Sequence, residues 1–301
     1  MSNTCFLLFL LPRSYVAGLG VTAPANVLVL GPGSPQVQLI VTKLAARTGY
    51  ISTMVTGKRN ELRANRLMYG DRWASIDPAY RARLACTNTQ IGSALNHAEG
   101  MILVAESGGE AALEKALPYA SRLRRIVLLS CIGGSKGGRG NLGEGFDPRT
   151  EPVVEQLAAN ADVELAILRV GILKGGGEAG GVDEDCSSTP CIGLDKAVYY
   201  SSLKPGGYES PGSRCARAYD KLTLGAAISL GDSIEPRSAM ARSGTRTAHA
   251  AYDDEASRIN AASALLACLR ASSPLSLTLS AAAGRVPPSE AEWDGMLADL
   301  A

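Results

Sequence analysis

Apolar residues along this chain fall into short continuous runs separated by stretches of helical spacing. Val27-Leu28-Val29-Leu30 is the first such run; it stops at Gly31 and reads as a strand buried on both faces. After a loop of Gly, Pro and Ser, the residues Val37, Ile40, Val41, Leu44 and Ala45 recur on one helical face as far as Thr48-Gly49, where a glycine ends the helix. Similar runs at Ile51 to Val55, Met101 to Ala105, Ile126 to Ser130 and Leu165 to Val170 predict further strands, with helices over Gly109 to Ala120 and Glu151 to Ala159. Leu275, Leu277 and Leu279 alternate with Ser276 and Thr278, which predicts a late strand after an alanine-rich helix around Ala256 to Leu269. Ser289 and Glu292 have the spacing of a capping box, so Trp293 is expected to anchor a terminal helix. Strands alternating with helices imply a doubly wound parallel sheet, the Rossmann type of α/β fold.

Composition narrows the picture. With 301 residues and 46% hydrophobic content, the chain can bury a full core. It reads as one domain over 21–301, with irregular insertions over about 182–250 on the substrate side. Thirty basic against 29 acidic residues leave a net charge of +1, so no global field recruits nucleic acid. The apolar run Cys5 to Leu11 is too short to span a bilayer, and residues 1–20 read as a targeting or disordered extension. No later run is long enough for an integral membrane segment. Seven scattered cysteines, an odd number, argue against a disulfide framework and favour a reducing compartment. Cys186 and Cys191 read as loop thiols, and with two histidines in the chain no zinc site is expected. The run Asp183-Glu184-Asp185 reads as solvated charge, and no metal is expected.

Candidate chemistry begins at Gly31-Pro32-Gly33-Ser34-Pro35-Gln36. Small residues between a strand and a helix let backbone N–H groups and the helix amino terminus approach a pyrophosphate. Gly31 permits the tight turn and Gly33 or Ser34 the close approach, while the place of a third glycine holds Gln36 or Val37, depending on the spacing used. The second strand ends in Thr56-Gly57-Lys58-Arg59, with no acidic residue to accept from a ribose 2′-hydroxyl. A basic pair there suits the 2′-phosphate of NADP rather than NAD. Ala105 and Glu106, after the Met101 run, offer backbone contacts to the cofactor. Two glycine-rich stretches, Ile132 to Gly145 and Gly171 to Gly181, follow strands directly and are expected to line one crevice.

These residues resemble the atypical short-chain dehydrogenase/reductases, including the NmrA-like and plastid-type NAD(P)-binding members. The likeness rests on four segments in order: Val27 to Val37, Arg125 to Gly134, Leu168-Arg169-Val170-Gly171 where the family reads Leu-Arg-Pro-Gly, and Ser257-Arg258-Ile259-Asn260-Ala261. It implies that Ser130 is the carbonyl-orienting serine of the nicotinamide pocket. It also implies a Tyr-x-x-x-Lys pair on the helix between the two strands, the lysine lowering the tyrosine pKa and binding ribose. That helix here begins Glu151-Pro152-Val153-Val154 and carries neither residue; Glu151 stands where many NmrA-like members keep a lysine. One Tyr-x-x-x-Lys occurs elsewhere, at Tyr200 and Lys204, with Tyr199 and Tyr208 nearby.

Two functions follow as expectations. One is an NADP(H)-binding protein without turnover, serving a structural, regulatory or assembly role with a protein partner. The other is an NADP(H)-dependent oxidoreductase on a small carbonyl or hydroxyl compound, with Ser130, Tyr200 and Lys204 as its catalytic set. The apolar amino terminus and the likeness to plastid-type members point to a plastid, with the cytoplasm as the alternative.

Overall fold

The computed structural model describes residues 24–31, 35–71, 73–104, 109–136, 150–176, 193–195, 198–199, 225–234, 255–282 and 288–301. In chain order the elements of the first half are β1 (Asn26–Leu30), α1 (Pro35–Arg47), β2 (Ile51–Val55), α2 (Glu61–Tyr69), β3 (Arg83–Ala85), α3 (Asn88–His97), β4 (Gly100–Val104) and α4 (Gly109–Ala116). The second half contributes β5 (Arg125–Cys131), α5 (Thr150–Asn160), β6 (Glu164–Val170), β7 (Ile172–Lys174), β8 (Gly225–Leu230), β9 (Glu255–Ser257), α6 (Arg258–Arg270), β10 (Ser276–Ala282) and α7 (Glu290–Ala298).

Among the described residues, eight strands form one sheet in the order β3-β2-β1-β4-β5-β6-β10-β8, parallel except for β8, which runs antiparallel along β10. The strands β7 and β9 pair in a separate parallel ribbon. Both faces of the sheet are covered, as its continuous apolar runs require. Val27 and Val29 point into a core shared with α1, α2, α6 and α7, while Leu28 and Leu30 point into a second core with α3, α4 and α5. The expected strands and helices therefore form where the hydrophobic pattern places them. Ser289 and Glu292 close the capping box of α7 and Trp293 is buried, as the spacing indicates.

One buried cation joins the sheet to α6. Arg125, at the start of β5, donates to the carbonyls of Cys268 at 3.2 Å, Leu269 at 3.4 Å and Ala271, and to Glu164 at 2.8 Å and 2.5 Å. A positive charge at the carbonyl end of a helix satisfies orphan acceptors and opposes the helix dipole. Burial of Cys268 beside it pushes that thiol up to about 12, with Arg125 and Arg270 pulling the other way.

From β1 the chain runs outward to β2 and β3, then returns to β4 on the other side of β1. The reversal opens a crevice at the carboxyl ends of β1 and β4, where open α/β sheets bind ligands.

Candidate functional site

Gly31 ends β1 at that crevice. It has φ +133°, and a Cβ there would lie 2.3 Å from the Val104 carbonyl oxygen of β4, so the position excludes every other residue on two counts. Gln38, in the first turns of α1, folds back and donates from Nε2 to the Gly31 carbonyl at 2.6 Å. The first turn of α1 holds no acidic residue, which leaves its amino terminus favourable to an anion. The backbone of Gln36 lies in this helix. Pro32, Gly33 and Ser34, and the side chain of Pro35, lie outside the described residues.

At the end of β2 the two basic residues differ. Lys58 forms an exposed ion pair with Glu61, and its pKa is raised first by that hydrogen bond and then by the same carboxylate's charge. Arg59 is exposed and makes no hydrogen bond or ion pair among the described residues. Among the described residues the cation left unpaired at this corner is therefore Arg59.

The opposite half of the crevice holds a closed polar cluster. Ser130, at the end of β5, donates from Oγ to Glu151 Oε2 at 2.8 Å. Arg169, at the end of β6, donates from Nε to the same oxygen at 3.1 Å, from Nη2 to Glu151 Oε1, and from Nη1 to Ser276 Oγ at 2.6 Å. Glu151 is 1% exposed and Arg169 3%. Gly134 lies directly over the pair: a Cβ there would stand 2.6 Å from Glu151 Oε2 and 2.9 Å from Ser130 Oγ. The Ser130 hydroxyl thus donates to a carboxylate of the chain itself. Among the described side chains, no lysine bonds to the Ser130–Glu151–Arg169 cluster.

Ala105, Glu106, Tyr200, Lys204 and Tyr208 lie outside the described residues, as do the Asp183 run, Cys186 and Cys191. Tyr199 is buried and donates to the Gly175 carbonyl at 3.2 Å, the acceptor that Arg258 Nη1 also reaches at 2.7 Å. Its hydroxyl braces β7 against α6. Glu110, in the first turn of α4, accepts from Thr150 Oγ1 at 3.2 Å. Asp232, beyond β8, also enters the cluster, 3.8 Å from Arg169 Nε; no motif in the sequence pointed to it. Among the described residues no group of His, Cys, Asp and Glu is arranged to hold a metal, and no helix is long and apolar enough to cross a membrane.

The fold is a Rossmann-like α/β architecture, a mostly parallel sheet with helices on both faces. A protein of Bacillus halodurans described as an NAD-dependent epimerase/dehydratase has a similar structure, with a TM-score of 0.50 at 10% identity over 90% of this chain and 99% of that one. Weaker likenesses include a Bordetella bronchiseptica enzyme solved in complex with NAD+, with a TM-score of 0.45 at 13% identity over 84% of this chain and 72% of that one. Vestitone reductase from alfalfa has a TM-score of 0.44 at 11% identity over 83% of this chain and 74% of that one. No family model matches the sequence, and no curated protein matches it.

Proposed function

We propose that the chain binds a nicotinamide dinucleotide, with preference for NADP(H), and holds it without the Tyr/Lys proton relay, in a structural, regulatory or assembly role. The loop from Gly31 to Gln36 and the amino terminus of α1 hold the pyrophosphate, with Ala105 and Glu106 offering backbone contacts, and Arg59, beside Lys58, meets the 2′-phosphate. When bound, the dinucleotide would supply a hydride donor or acceptor; this chain's own residues would supply its binding.

The observation that carries the reading is the Ser130–Glu151–Arg169 cluster. A carboxylate replaces the expected lysine, a buried arginine neutralises it, and the serine hydroxyl is turned onto it. A proton relay needs a donor within hydrogen-bond reach of the reacting oxygen, and the hydroxyl of Ser130 faces Glu151 under Gly134. A ligand bound only by the native state also stabilises the fold by mass action, by about 2.7 kcal/mol at a hundredfold excess over Kd, so such a site has a use without chemistry.

The test is the thermal midpoint of the full chain with NADPH, NADH or no nucleotide, followed by oxidation of NADPH in the presence of aldehyde and ketone probes. NADPH is expected to raise the midpoint more than NADH, with no turnover. Turnover abolished by Tyr200→Phe would establish the oxidoreductase reading instead. No midpoint shift with either nucleotide would overturn both. The plastid assignment rests on the sequence resemblance and the amino-terminal run; loss of plastid import on deletion of residues 1–20 from a fluorescent fusion is its test.

A further inference from the structure

Among the described residues, the start of the loop that covers Ser130 and Glu151 is bonded by Asp232, from a distant part of the chain. Asp232 Oδ1 accepts from the Gly133 amide at 2.9 Å, and Oδ2 accepts from the Ser135 amide at 3.2 Å and the Ser135 hydroxyl at 2.7 Å. Its side chain is nearly buried against Arg169. Gly231 sets its approach: φ is +72°, its amide donates to the Ser276 carbonyl at 2.7 Å, and its carbonyl accepts from Thr278 Oγ1 at 2.6 Å. Asp232 therefore hangs from β10 through a glycine and pins a loop that belongs to β5.

A dinucleotide laid across the switch point places its second half over the carboxyl ends of β4, β5 and β6. The loop 132–135 stands at the end of β5 and Arg169 at the end of β6, so the Asp232 contacts bear on that half of the crevice. Gly31 and Arg59 serve the other half. We propose that Asp232 is a latch that regulates the dinucleotide site. Closed, it holds the loop 132–135 down on Ser130 and Glu151 and shuts the nicotinamide half of the crevice; released, it admits that half. The inference rests on the dinucleotide reading. Hydrogen bonds to a carboxylate are among the stronger ones, so the closed form predominates without ligand. Apparent affinity for a ligand that needs the open form then falls in proportion to the open fraction.

The experiment compares NADPH with adenosine 2′,5′-bisphosphate, a fragment of its adenosine half, by calorimetric titration of the wild type, Asp232→Ala and Asp232→Asn. Hydrogen exchange at the amides of residues 133 and 135 is read in parallel. NADPH is expected to bind Asp232→Ala about tenfold more tightly than the wild type, the fragment is expected to bind all three alike, and both amides are expected to exchange about tenfold faster in the Ala variant. Asp232→Asn keeps one acceptor for Gly133 and serves as the folded variant if Ala is unstable; its NADPH affinity is expected between the two. Equal NADPH affinity in all folded proteins, with fragment binding intact, overturns the latch and leaves the dinucleotide reading standing. A gain shared equally by NADPH and the fragment also overturns it, because the effect would not be confined to the nicotinamide half. If neither compound binds any of the proteins, the dinucleotide reading fails and the latch fails with it.

Discussion

The carboxylate of Glu151 takes hydrogen bonds on both oxygens from the guanidinium of Arg169, and the two side chains are almost wholly withdrawn from water. Two buried charges are tolerated when each answers the other, and removing one strands its partner. Arg169→Met is therefore expected to destabilise the chain by about 3–5 kcal/mol, while Glu151→Met with Arg169→Met costs less than the sum of the two single changes. Urea unfolding of the three variants measures the coupling; strict additivity would show that the pair contributes nothing specific.

The same pair sets what happens if the lysine that the sequence resemblance implies at this position is introduced. Glu151→Lys places an ammonium against the buried guanidinium of Arg169, with Asp232 3.8 Å from Arg169 Nε. The variant is expected to lose more stability than Glu151→Gln and to gain no turnover. A stable, active Glu151→Lys protein would show that one substitution separates this chain from catalysis.

Much of the fold was legible because its central strands are continuous apolar runs and α1 and α6 carry buried apolar residues along most of their length. The edge was not. The strand β3 is three residues long, and α3 buries a single residue, Leu95, so neither carries a periodic signal, although Thr87 and Gln90 form a capping box at the start of α3. In the site, Gly31 and the acidic residue at 151 could be singled out along the chain. The union of Ser130, Glu151, Arg169 and Asp232 could not, because it joins the ends of elements that lie far apart in sequence. Nothing local distinguishes Asp232 from a surface carboxylate; only the tertiary fold carries it to the amides of Gly133 and Ser135.

Gly31 and Gly49 both have positive φ but differ in surroundings. At Gly49, φ is +94° and a Cβ would meet nothing within 4 Å, so Gly49→Ala meets backbone strain alone, about 1–2 kcal/mol. Gly31→Ala adds a collision with the Val104 carbonyl at 2.3 Å and is expected to cost about 2–6 kcal/mol, strain and overpacking together. It also disturbs the turn that shapes the pyrophosphate corner. Denaturant midpoints order the two variants, and on the dinucleotide reading NADPH is expected to stabilise the wild type and Gly49→Ala but not Gly31→Ala. Equal costs at the two positions would contradict the close approach of β1 to β4.

Lys58 and Arg59 adjoin each other but should not contribute equally to cofactor choice. The ammonium of Lys58 is already engaged with Glu61, whereas the guanidinium of Arg59 has no protein partner among the described residues. A hydrogen bond to a charged group is worth about 1.5–3 kcal/mol, so Arg59→Ala should lower the NADPH-to-NADH affinity ratio about tenfold or more. Lys58→Ala should lower it less, since an exposed cation shared with a carboxylate contributes little. Calorimetric titration of both nucleotides against both variants decides the point. Unchanged ratios would remove the basis for preferring NADP.

Cys268 gives the fold an alkaline limit. Burial on α6 pushes its thiol up to about 12, whereas the same thiol in the unfolded chain ionises near its ordinary value of 9.0. Because the folded pKa is the higher one, the native state holds the proton that the unfolded chain releases. The stabilisation is complete below about pH 9 and is lost as pH rises from there toward 12, at up to ~1.4 kcal/mol per pH unit. Cys268→Ala removes this dependence while its packing cost stays constant with pH. The stability difference between wild type and Cys268→Ala should therefore shrink by about 1 kcal/mol between pH 8 and pH 10. Tyr50 and Tyr69, also raised chiefly by burial, act equally in both proteins and cancel in the difference. Urea midpoints at the two pH values make the measurement, and parallel pH slopes would mean that the thiol ionises in the native state as readily as in the unfolded chain.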